Sequence, residues 1–342
     1  MKDIRYRQIS NQGKILFCNL ITKDIQEIES LSVNSKKINN GKTRAGKLLD
    51  ENNTVYAFTD DKIYIQSAKK FNIVLKILLN SATYIEQTIQ NNIESHNKAI
   101  NRLIHNLITL NAHNMQELYV LFPQQDISRK INKKQIKYIE DIIKEKSKEI
   151  ALFLLKQAKS NTAMDVEFSV FQMIHNNDDS KLQIQSHNVH QVIMNILYIF
   201  FPDFTDKDVA VVVNDSTHKA RFDYKSFHVV LYHILENATK YIKPKSKFLI
   251  DIKNNNGKIE IDMEMISCKI QEDEKLLIFK EGYSGKEPKK IGRNGKGIGL
   301  SIVKKIIELN SGTIDIYTDD YSEEIIMGCY YQKNNFIICL PK

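Results

Sequence analysis

The spacing of apolar residues divides the chain into a helical middle and β-containing ends. From about Lys69 to Leu121 apolar residues recur every three or four positions, which predicts one long helix with a single apolar stripe. A break at Phe122-Pro123 is followed by a second such run, from about Asn132 to Lys159. Two long helices joined by a short loop form an antiparallel hairpin, and each buries only one stripe. We therefore expect a second copy of the chain to complete a dimeric four-helix bundle through residues 67–163.

The first 66 residues are predicted to form a small β-containing module of unknown role. Lys14–Leu20 has the pattern of a strand, and Thr54–Gln66 that of a hairpin turning at Asp60-Asp61-Lys62. The polar stretch Asn34–Asn53 between them is interpreted as a loop. No motif in this module indicates a chemistry.

After Met164 short β-like runs alternate with helical runs, a pattern typical of an α/β sandwich built on one sheet. The chain is therefore predicted to be an α+β multidomain protein with divisions at 1–66, 67–163 and 164–342. The β-like runs are Leu182–Gln185, Val209–Val213, Phe248–Lys253, Lys258–Met263, Thr313–Tyr317 and Phe336–Leu340, and the helical runs are Val189–Phe200, Tyr224–Tyr241 and Gly299–Asn310.

The composition is that of a globular protein, with 42% hydrophobic and 26% charged residues. No apolar run approaches the roughly 20 residues of a membrane helix, and the basic N-terminus has no apolar region behind it, so neither membrane insertion nor secretion is expected. The four cysteines are scattered, without a C-x-x-C pair, and are interpreted as reduced thiols in a cytoplasmic protein.

The net charge of +8 is concentrated in one place. Residues 280–305 hold eight Lys and Arg against two acidic residues, so six of the eight excess positive charges lie within this stretch. A charge this local favours a small anion over an extended nucleic acid.

A glycine-rich segment, Gly292–Val303, lies in the same stretch. Alternating glycines expose bare backbone N–H groups and lead directly into a predicted helix, whose N-terminus carries partial positive charge. Lys296 and other basic residues are close by. This is the physics of a phosphate cradle, although the spacing matches neither a P-loop nor a dinucleotide fingerprint. The alternative is a flexible basic glycine loop.

A second candidate lies on the predicted helix Val229–Tyr241. At helical spacing His233, Asn237, Lys240 and Tyr241 lie on or beside one face. An amide, an ammonium and a phenol ring arranged in this way can hold a metal ion, a phosphate and a base. On its own the pattern also suits an ordinary amphipathic helix.

Taken together these segments resemble the ATP-binding domain of sensor histidine kinases, of the GHKL type. Asn237-Ala238, Phe279 with Tyr283, and Gly295–Leu300 are similar to its N, F and G2 boxes, and Phe336–Pro341 is similar to its last strand. The resemblance implies that Asn237 ligates Mg²⁺, that Lys240 approaches the phosphates of ATP, that Tyr241 packs near the adenine and that the glycine segment closes as a lid. The ATP-binding residues expected on this basis are Asn237, Lys240, Tyr241, Arg293, Gly295, Gly297, Gly299 and Leu300.

The same resemblance directs attention to His105 on the long helix. It falls between the stripe residues Leu103 and Leu107 and should face solvent, where a phosphoryl group could reach it. In the family an acidic residue usually follows the phosphoaccepting histidine, but here Asn106 follows, and an amide cannot accept the ring proton. Thr109 occupies the position of the residue that orients water for dephosphorylation of the partner. The alternative is that His105 is a solvated helix residue.

The base-binding segment departs from the family pattern. Met265 stands where the adenine-reading aspartate is expected, and Ser267 and Lys269 replace two glycines. Glu264 cannot substitute, because in a strand it points to the opposite face. This loss is expected to weaken adenine binding by about one to two powers of ten.

The leading hypothesis is a cytoplasmic, dimeric histidine kinase of a two-component pathway. It would bind MgATP, autophosphorylate on His105 and transfer the phosphoryl group to a response-regulator aspartate, with a balance that could lean towards phosphatase activity. The main alternative is a catalytically weak or inactive relative that acts as a dimeric regulatory module. A nucleic-acid binder is a third class. An ATP hydrolase of the wider superfamily fits less well, because those enzymes carry a glutamate base where this chain has His233.

Overall fold

The computed structural model describes residues 4–129, 133–175, 182–293, 295, 297–326 and 328–342. Lys296, which was expected beside the phosphate cradle, lies outside the described residues. The chain divides into two compact units, Met1–Ala99 and Ile100–Lys342, and each is described by itself.

A five-stranded antiparallel sheet forms most of the first unit, with strand order β2-β1-β5-β4-β3. The first turns of the long helix α3 pack on it, where Phe71 and Leu75 share a core with Val55 and Ala57. The elements of this unit are β1 (Ile4–Ser10), β2 (Ile15–Cys18), α1 (Thr22–Glu27), β3 (Asn34–Ile38), β4 (Thr43–Leu49), β5 (Asn53–Thr59), α2 (Lys62–Gln66) and the start of α3 (Ala68–Leu121).

Two predictions for this module are wrong. The stretch Asn34–Asn53 is not a loop but contains β3 and β4. Strand β3 is polar because it lies at the edge of the sheet, and β4 carries Gly46 because a Cβ there would lie 2.8 Å from Leu75 Cδ1. The predicted hairpin over Thr54–Gln66 is also absent: β5 pairs with β1 and β4, and the chain continues into α2, which Asp61 caps by accepting a hydrogen bond from the Ile63 N–H.

The helical middle is confirmed, with one change of extent. Helix α3 is a single helix of 54 residues, as its apolar spacing predicts. The second helical run divides at Lys146 and extends beyond its predicted end, to His175. The helices that follow α3 are α4 (Gln124–Ser128), which lies in the predicted break, α5 (Lys133–Glu145) and α6 (Ser147–His175). None of the helices, as far as the structure describes them, is long and apolar enough to cross a bilayer.

The predicted C-terminal sandwich is confirmed. Its main sheet has the order β11-β12-β10-β9-β7, in which only β7 pairs in parallel, and β6 pairs with β8 in a smaller sheet. Helices α7, α9 and α11 share one apolar core with the main sheet. The elements are β6 (Ile184–Asn188), α7 (Val189–Leu197), α8 (Phe201–Asp206), β7 (Ala210–Val213), β8 (Lys219–Asp223), α9 (Tyr224–Tyr241), β9 (Lys247–Asn255), β10 (Lys258–Cys268), α10 (Lys286–Lys290), α11 (Gly299–Leu309), β11 (Thr313–Ile326) and β12 (Cys329–Pro341).

A buried asparagine fixes the two helices that frame the site. Asp223 caps α9 by accepting from the Ser226 N–H at 2.8 Å. Asn310, at the end of α11, accepts from the Asp223 N–H and donates to Ser226 Oγ, at 2.8 and 3.0 Å. The start of α9 and the end of α11 are therefore held together, and their other ends converge on one cavity.

Candidate nucleotide-binding site

A cavity of about 440 Å³ opens between α9, the inner face of β10 and the glycine segment that leads into α11. Its volume lies in the range of small-molecule sites. Of the predicted ATP-binding residues, Arg293 alone does not line it. The predicted residues that do are Asn237, Lys240, Tyr241, Gly295, Gly297, Gly299 and Leu300.

Helix α9 presents Asn237 and Lys240 to the cavity. Asn237 is half-buried, and among the described residues its side-chain amide makes no hydrogen bond, so its oxygen is available to a ligand. Lys240 pairs with Glu236, one turn earlier, at 3.0 Å between Nζ and Oε1. The amide is therefore unengaged, whereas the ammonium is held beside a carboxylate.

His233 lies one turn before Asn237 and also lines the cavity. Burial lowers the pKa of His233 to about 4, so the ring is neutral at pH 7. Its Nε2 atom is buried and has no hydrogen-bond partner, and Nδ1 lies 4.0 Å from Glu236 Oε2. A Cβ added at Gly299 would lie 3.4 Å from Nδ1, so the ring packs against the first residue of α11.

The described part of the glycine segment contacts the loop that precedes α10 through Gly297. The Gly282 N–H donates to the Gly297 carbonyl at 2.9 Å. Gly297 has a φ of +69°, and a Cβ there would lie 2.3 Å from the Tyr283 carbonyl oxygen and 2.5 Å from the Tyr283 nitrogen. Only glycine fits this position, on grounds of both backbone conformation and space.

Arg293 binds the end of α9 instead of the cavity. Its guanidinium donates to the Lys240 carbonyl at 3.3 Å, and Lys207 Nζ donates to the Thr239 and Lys240 carbonyls. Burial, reinforced by repulsion from Arg293, lowers the pKa of Lys207. Two cations thus interact with the negative end of the α9 dipole.

A buried carboxylate that the sequence analysis missed supports the same loop. Glu274 is fully buried and accepts from Tyr283 Oη at 2.6 Å, from the Lys286 N–H at 2.8 Å and from the Gln271 N–H at 3.1 Å. Burial and this bond raise the pKa of Tyr283 to about 12. Because Tyr283 carries the backbone against which Gly297 rests, Glu274 positions the segment indirectly. The Gln271–Glu274 spacing, that of a capping box, is the signal that could have revealed it.

The floor of the cavity comes from β10. Met265 and Ser267 are buried on its inner face and line the cavity. Glu264 lies on the other face and pairs with Lys333 at 2.8 Å, as the strand geometry predicts. Asn334 on β12, which the sequence analysis did not single out, donates to Ser267 Oγ at 2.8 Å.

The helical hairpin also reaches this cavity. Arg102 and Asn106 on α3 line it, and Asn106 Nδ2 donates to Glu167 Oε1 at 3.1 Å. His105 is exposed, as its position between stripe residues predicts, and does not line the cavity. Thr109 Oγ1 donates to the His105 carbonyl at 2.8 Å, a bond within the helix.

The residues present fit a magnesium nucleotide. The described residues include no cluster of three His, Cys, Asp or Glu side chains that could hold a metal alone. A metal ion here would need oxygens from its ligand, and Mg²⁺ typically takes one or two protein oxygens together with phosphates and water. Asn237 offers the protein oxygen, and the amides at the start of α11 can face the phosphates.

Sequence comparison agrees with this geometry. Residues 222–342 match the family described as histidine kinase-, DNA gyrase B-, and HSP90-like ATPase. The chain is also similar to the signal transduction histidine-protein kinase ArlS of Staphylococcus aureus, with 26% identity over 148 residues. That match covers 43% of this chain and 30% of ArlS, so the chain spans less than a third of that relative.

Solved structures similar to the chain include three histidine kinases. The catalytic domain of ThkA has a TM-score of 0.37 at 21% identity, with 47% of this chain and 96% of that chain covered. AdeS of Acinetobacter baumannii has a TM-score of 0.37 at 17% identity, with coverage of 69% and 97%. Full-length ShkA in complex with AMPPNP has a TM-score of 0.43 at 14% identity, with coverage of 72% and 45%.

These TM-scores lie below 0.5, so the assignment rests on the sequence matches and on the site. Residues 222–342 therefore match the ATPase family that histidine kinases share with DNA gyrase B and HSP90, and the resemblance of this part of the chain to sensor histidine kinases is confirmed.

Proposed function

We propose that this chain is a protein-histidine kinase of a two-component pathway, which binds MgATP, phosphorylates His105 and passes the phosphoryl group to a response-regulator aspartate. The observation that carries the proposal is a shared cavity. Arg102 and Asn106, which flank His105 on α3, line the same cavity as Asn237 and Gly297. The helix that bears the candidate acceptor therefore forms part of the candidate nucleotide site.

In the proposed reaction His105 attacks the γ-phosphorus with the lone pair of a neutral ring nitrogen. The N–P bond forms as the bond from that phosphorus to its bridging oxygen breaks, and ADP leaves with the electron pair. Arg102 would offset negative charge on the transferred group from the α3 side. Mg²⁺, when held by Asn237, would neutralise phosphate charge.

The ring proton needs an acceptor, and Asn106 cannot supply one. Its amide instead holds Glu167 at 3.1 Å, so Glu167 is the carboxylate that α6 brings to this turn of α3. General-base catalysis is typically worth about 10²–10⁴-fold. A kinase with an indirectly placed base is expected to be slow, and Thr109, one turn after His105, leaves room for phosphatase activity towards the partner.

Labelling with γ-³²P-MgATP tests the kinase proposal. Wild-type protein should acquire label that is stable in base and lost in acid, and His105→Gln should acquire none. His113→Gln is the matched control, because His113 is an exposed histidine on the same helix with a side chain 68% accessible. Equal labelling of His105→Gln and wild type would refute the assignment of the acceptor.

The remaining parts of the proposal concern assembly and location. We propose a homodimer formed through residues 67–163, because large apolar side chains remain exposed on the hairpin, including Ile108, Val120 and Leu154 at 64%, 72% and 60%. Residues 1–66 would serve as an input or partner-binding module, residues 164–342 as the ATP-binding domain, and the protein would act in the cytoplasm. Sedimentation equilibrium should give twice the chain mass, and a monomer at micromolar concentration would contradict this.

A second candidate is a non-catalytic relative that binds a nucleotide without transferring phosphate. It is favoured by Met265 at the base site and by the engagement of Asn106 with Glu167. Calorimetry together with the labelling assay separates the two candidates. Nucleotide binding in the calorimeter with no label on His105 would support a binding module.

A further inference from the structure

A hydroxyl group, that of Ser267, lies beside apolar side chains in the cavity wall. Met265, Ile270, Ile278 and Phe336 line the cavity with apolar side chains, which suit the faces of a nucleotide base, and Ser267 adds a group there that can form hydrogen bonds. Ser267 is 4% exposed, on the same inner face of β10 as Met265.

Two buried amides orient that hydroxyl. Asn334 Nδ2 donates to Ser267 Oγ at 2.8 Å and to the Cys268 carbonyl at 3.1 Å, and Gln332 Nε2 donates to Asn334 Oδ1 at 3.0 Å. Both amides are fully buried. Because Ser267 Oγ accepts from Asn334, its own proton remains available to donate, and a second lone pair remains available to accept.

Each acidic residue that lines the described cavity already has a partner. Glu167 accepts from Asn106, and Glu236 pairs with Lys240. Glu274 accepts from Tyr283 and from two backbone N–H groups. The cavity therefore offers the base a hydroxyl rather than an unengaged carboxylate.

A carboxylate and a hydroxyl differ in which nucleotide base they exclude. A carboxylate only accepts hydrogen bonds, so it favours the exocyclic amine of adenine and repels the carbonyl of guanine. A hydroxyl can accept from the amine or donate to the carbonyl.

We infer that Ser267, held by Asn334, is the base-reading residue of this site, and that the site binds guanine nucleotides about as well as adenine nucleotides. The inference rests on the proposed function, since it presumes a nucleotide in the cavity. Its content is the substrate class: purine nucleoside triphosphates rather than ATP alone.

Calorimetric titration of the full chain with MgATP and MgGTP tests the inference. The two dissociation constants should agree within about ten-fold, because one hydrogen bond to a charged group is worth roughly ten- to hundred-fold and the charged group is missing. A preference for ATP of more than ten-fold would overturn the inference and leave the proposed function standing. Failure of both nucleotides to bind would overturn the proposed function as well.

Variants that add a carboxylate to the inner face of β10 test whether its absence sets the base preference. Met265→Asp places a carboxylate on the inner face and should shift the ratio by at least ten-fold towards ATP. Ser267→Asp places a carboxylate two residues further along the same face, and it replaces the first variant in the test if Met265→Asp does not fold. Glu264→Gln is the matched control, because Glu264 lies on the outer face and pairs with Lys333. An unchanged ratio in a folded carboxylate variant, as judged by circular dichroism, would overturn the inference.

Discussion

Replacing Gly297 by alanine should open the glycine segment. An added Cβ would lie 2.3 Å from the Tyr283 carbonyl oxygen and 2.6 Å from the Gly282 carbonyl carbon, and these are backbone atoms that cannot rotate away. The φ of +69° would add about 1–2 kcal/mol for any residue with a Cβ. Opening of this contact would break the hydrogen bond from the Gly282 N–H to the Gly297 carbonyl and leave that N–H open to exchange.

The conformational cost alone lowers the population of the closed segment by roughly 5- to 30-fold, and the overlap with the Tyr283 backbone lowers it further. Gly292→Ala is the matched control, because Gly292 has a similar φ of +66° but a Cβ there meets nothing within 4 Å. It should show the conformational cost alone, away from the contact with Tyr283.

Hydrogen exchange of the Gly282 amide reports the closed contact directly. We expect this amide to exchange faster in Gly297→Ala and at the wild-type rate in Gly292→Ala. Calorimetry should also show weaker MgADP binding by the first variant than by the second. Wild-type exchange at Gly282 in a folded Gly297→Ala protein would refute the steric reasoning.

Three further predictions concern titratable groups around the cavity. Glu274→Gln should lower the free energy of unfolding by about 1–3 kcal/mol, measured by urea titration, because an amide donor would face the donors that the carboxylate now satisfies. The pKa of His233 is lowered to about 4 in the folded protein, so the unfolded chain binds the proton first as the pH falls. The free energy of unfolding should therefore decrease by about 2–3 kcal/mol between about pH 6.5 and pH 4. His233→Asn should remove this decrease in urea titrations carried out across the same pH range. Asn106→Asp should raise the rate of His105 labelling, because a carboxylate next to His105 can accept the ring proton. The pH midpoint of that rate should lie above that of an ordinary carboxylate, because the new charge would lie about 3 Å from Glu167. A labelling rate equal to that of wild type would show that this position does not control the base.

Local patterns made the helices and the glycine segment predictable. The long helix α3 follows from apolar spacing, and the site residues on α9 follow from their position on one face. His105 is exposed because its neighbours Leu103 and Leu107 occupy the stripe. Each of these features depends on residues within a few turns of one another.

The features that were missed depend on distant parts of the chain. Asn334 reaches Ser267 across 67 positions, and Asn106 reaches Glu167 across 61. Arg293 was expected to bind ATP, yet its guanidinium donates to the carbonyl end of α9, 53 positions earlier in the chain. Strand β3 was mistaken for a loop because an edge strand has one side open to solvent and lacks apolar alternation.

Arg293, in the glycine segment, and Lys207 both bind carbonyls at the C-terminal end of α9. An outward movement of that segment would take Arg293 away from the Lys240 carbonyl, whereas Lys207, which is distant in sequence, would keep its bonds to the Thr239 and Lys240 carbonyls. The pKa of Lys207 is lowered first by burial and only then by Arg293, so Lys207 does not depend on Arg293 for its contacts. One of the two cations at this helix end could thus depart while the other continued to hold the helix that carries Asn237.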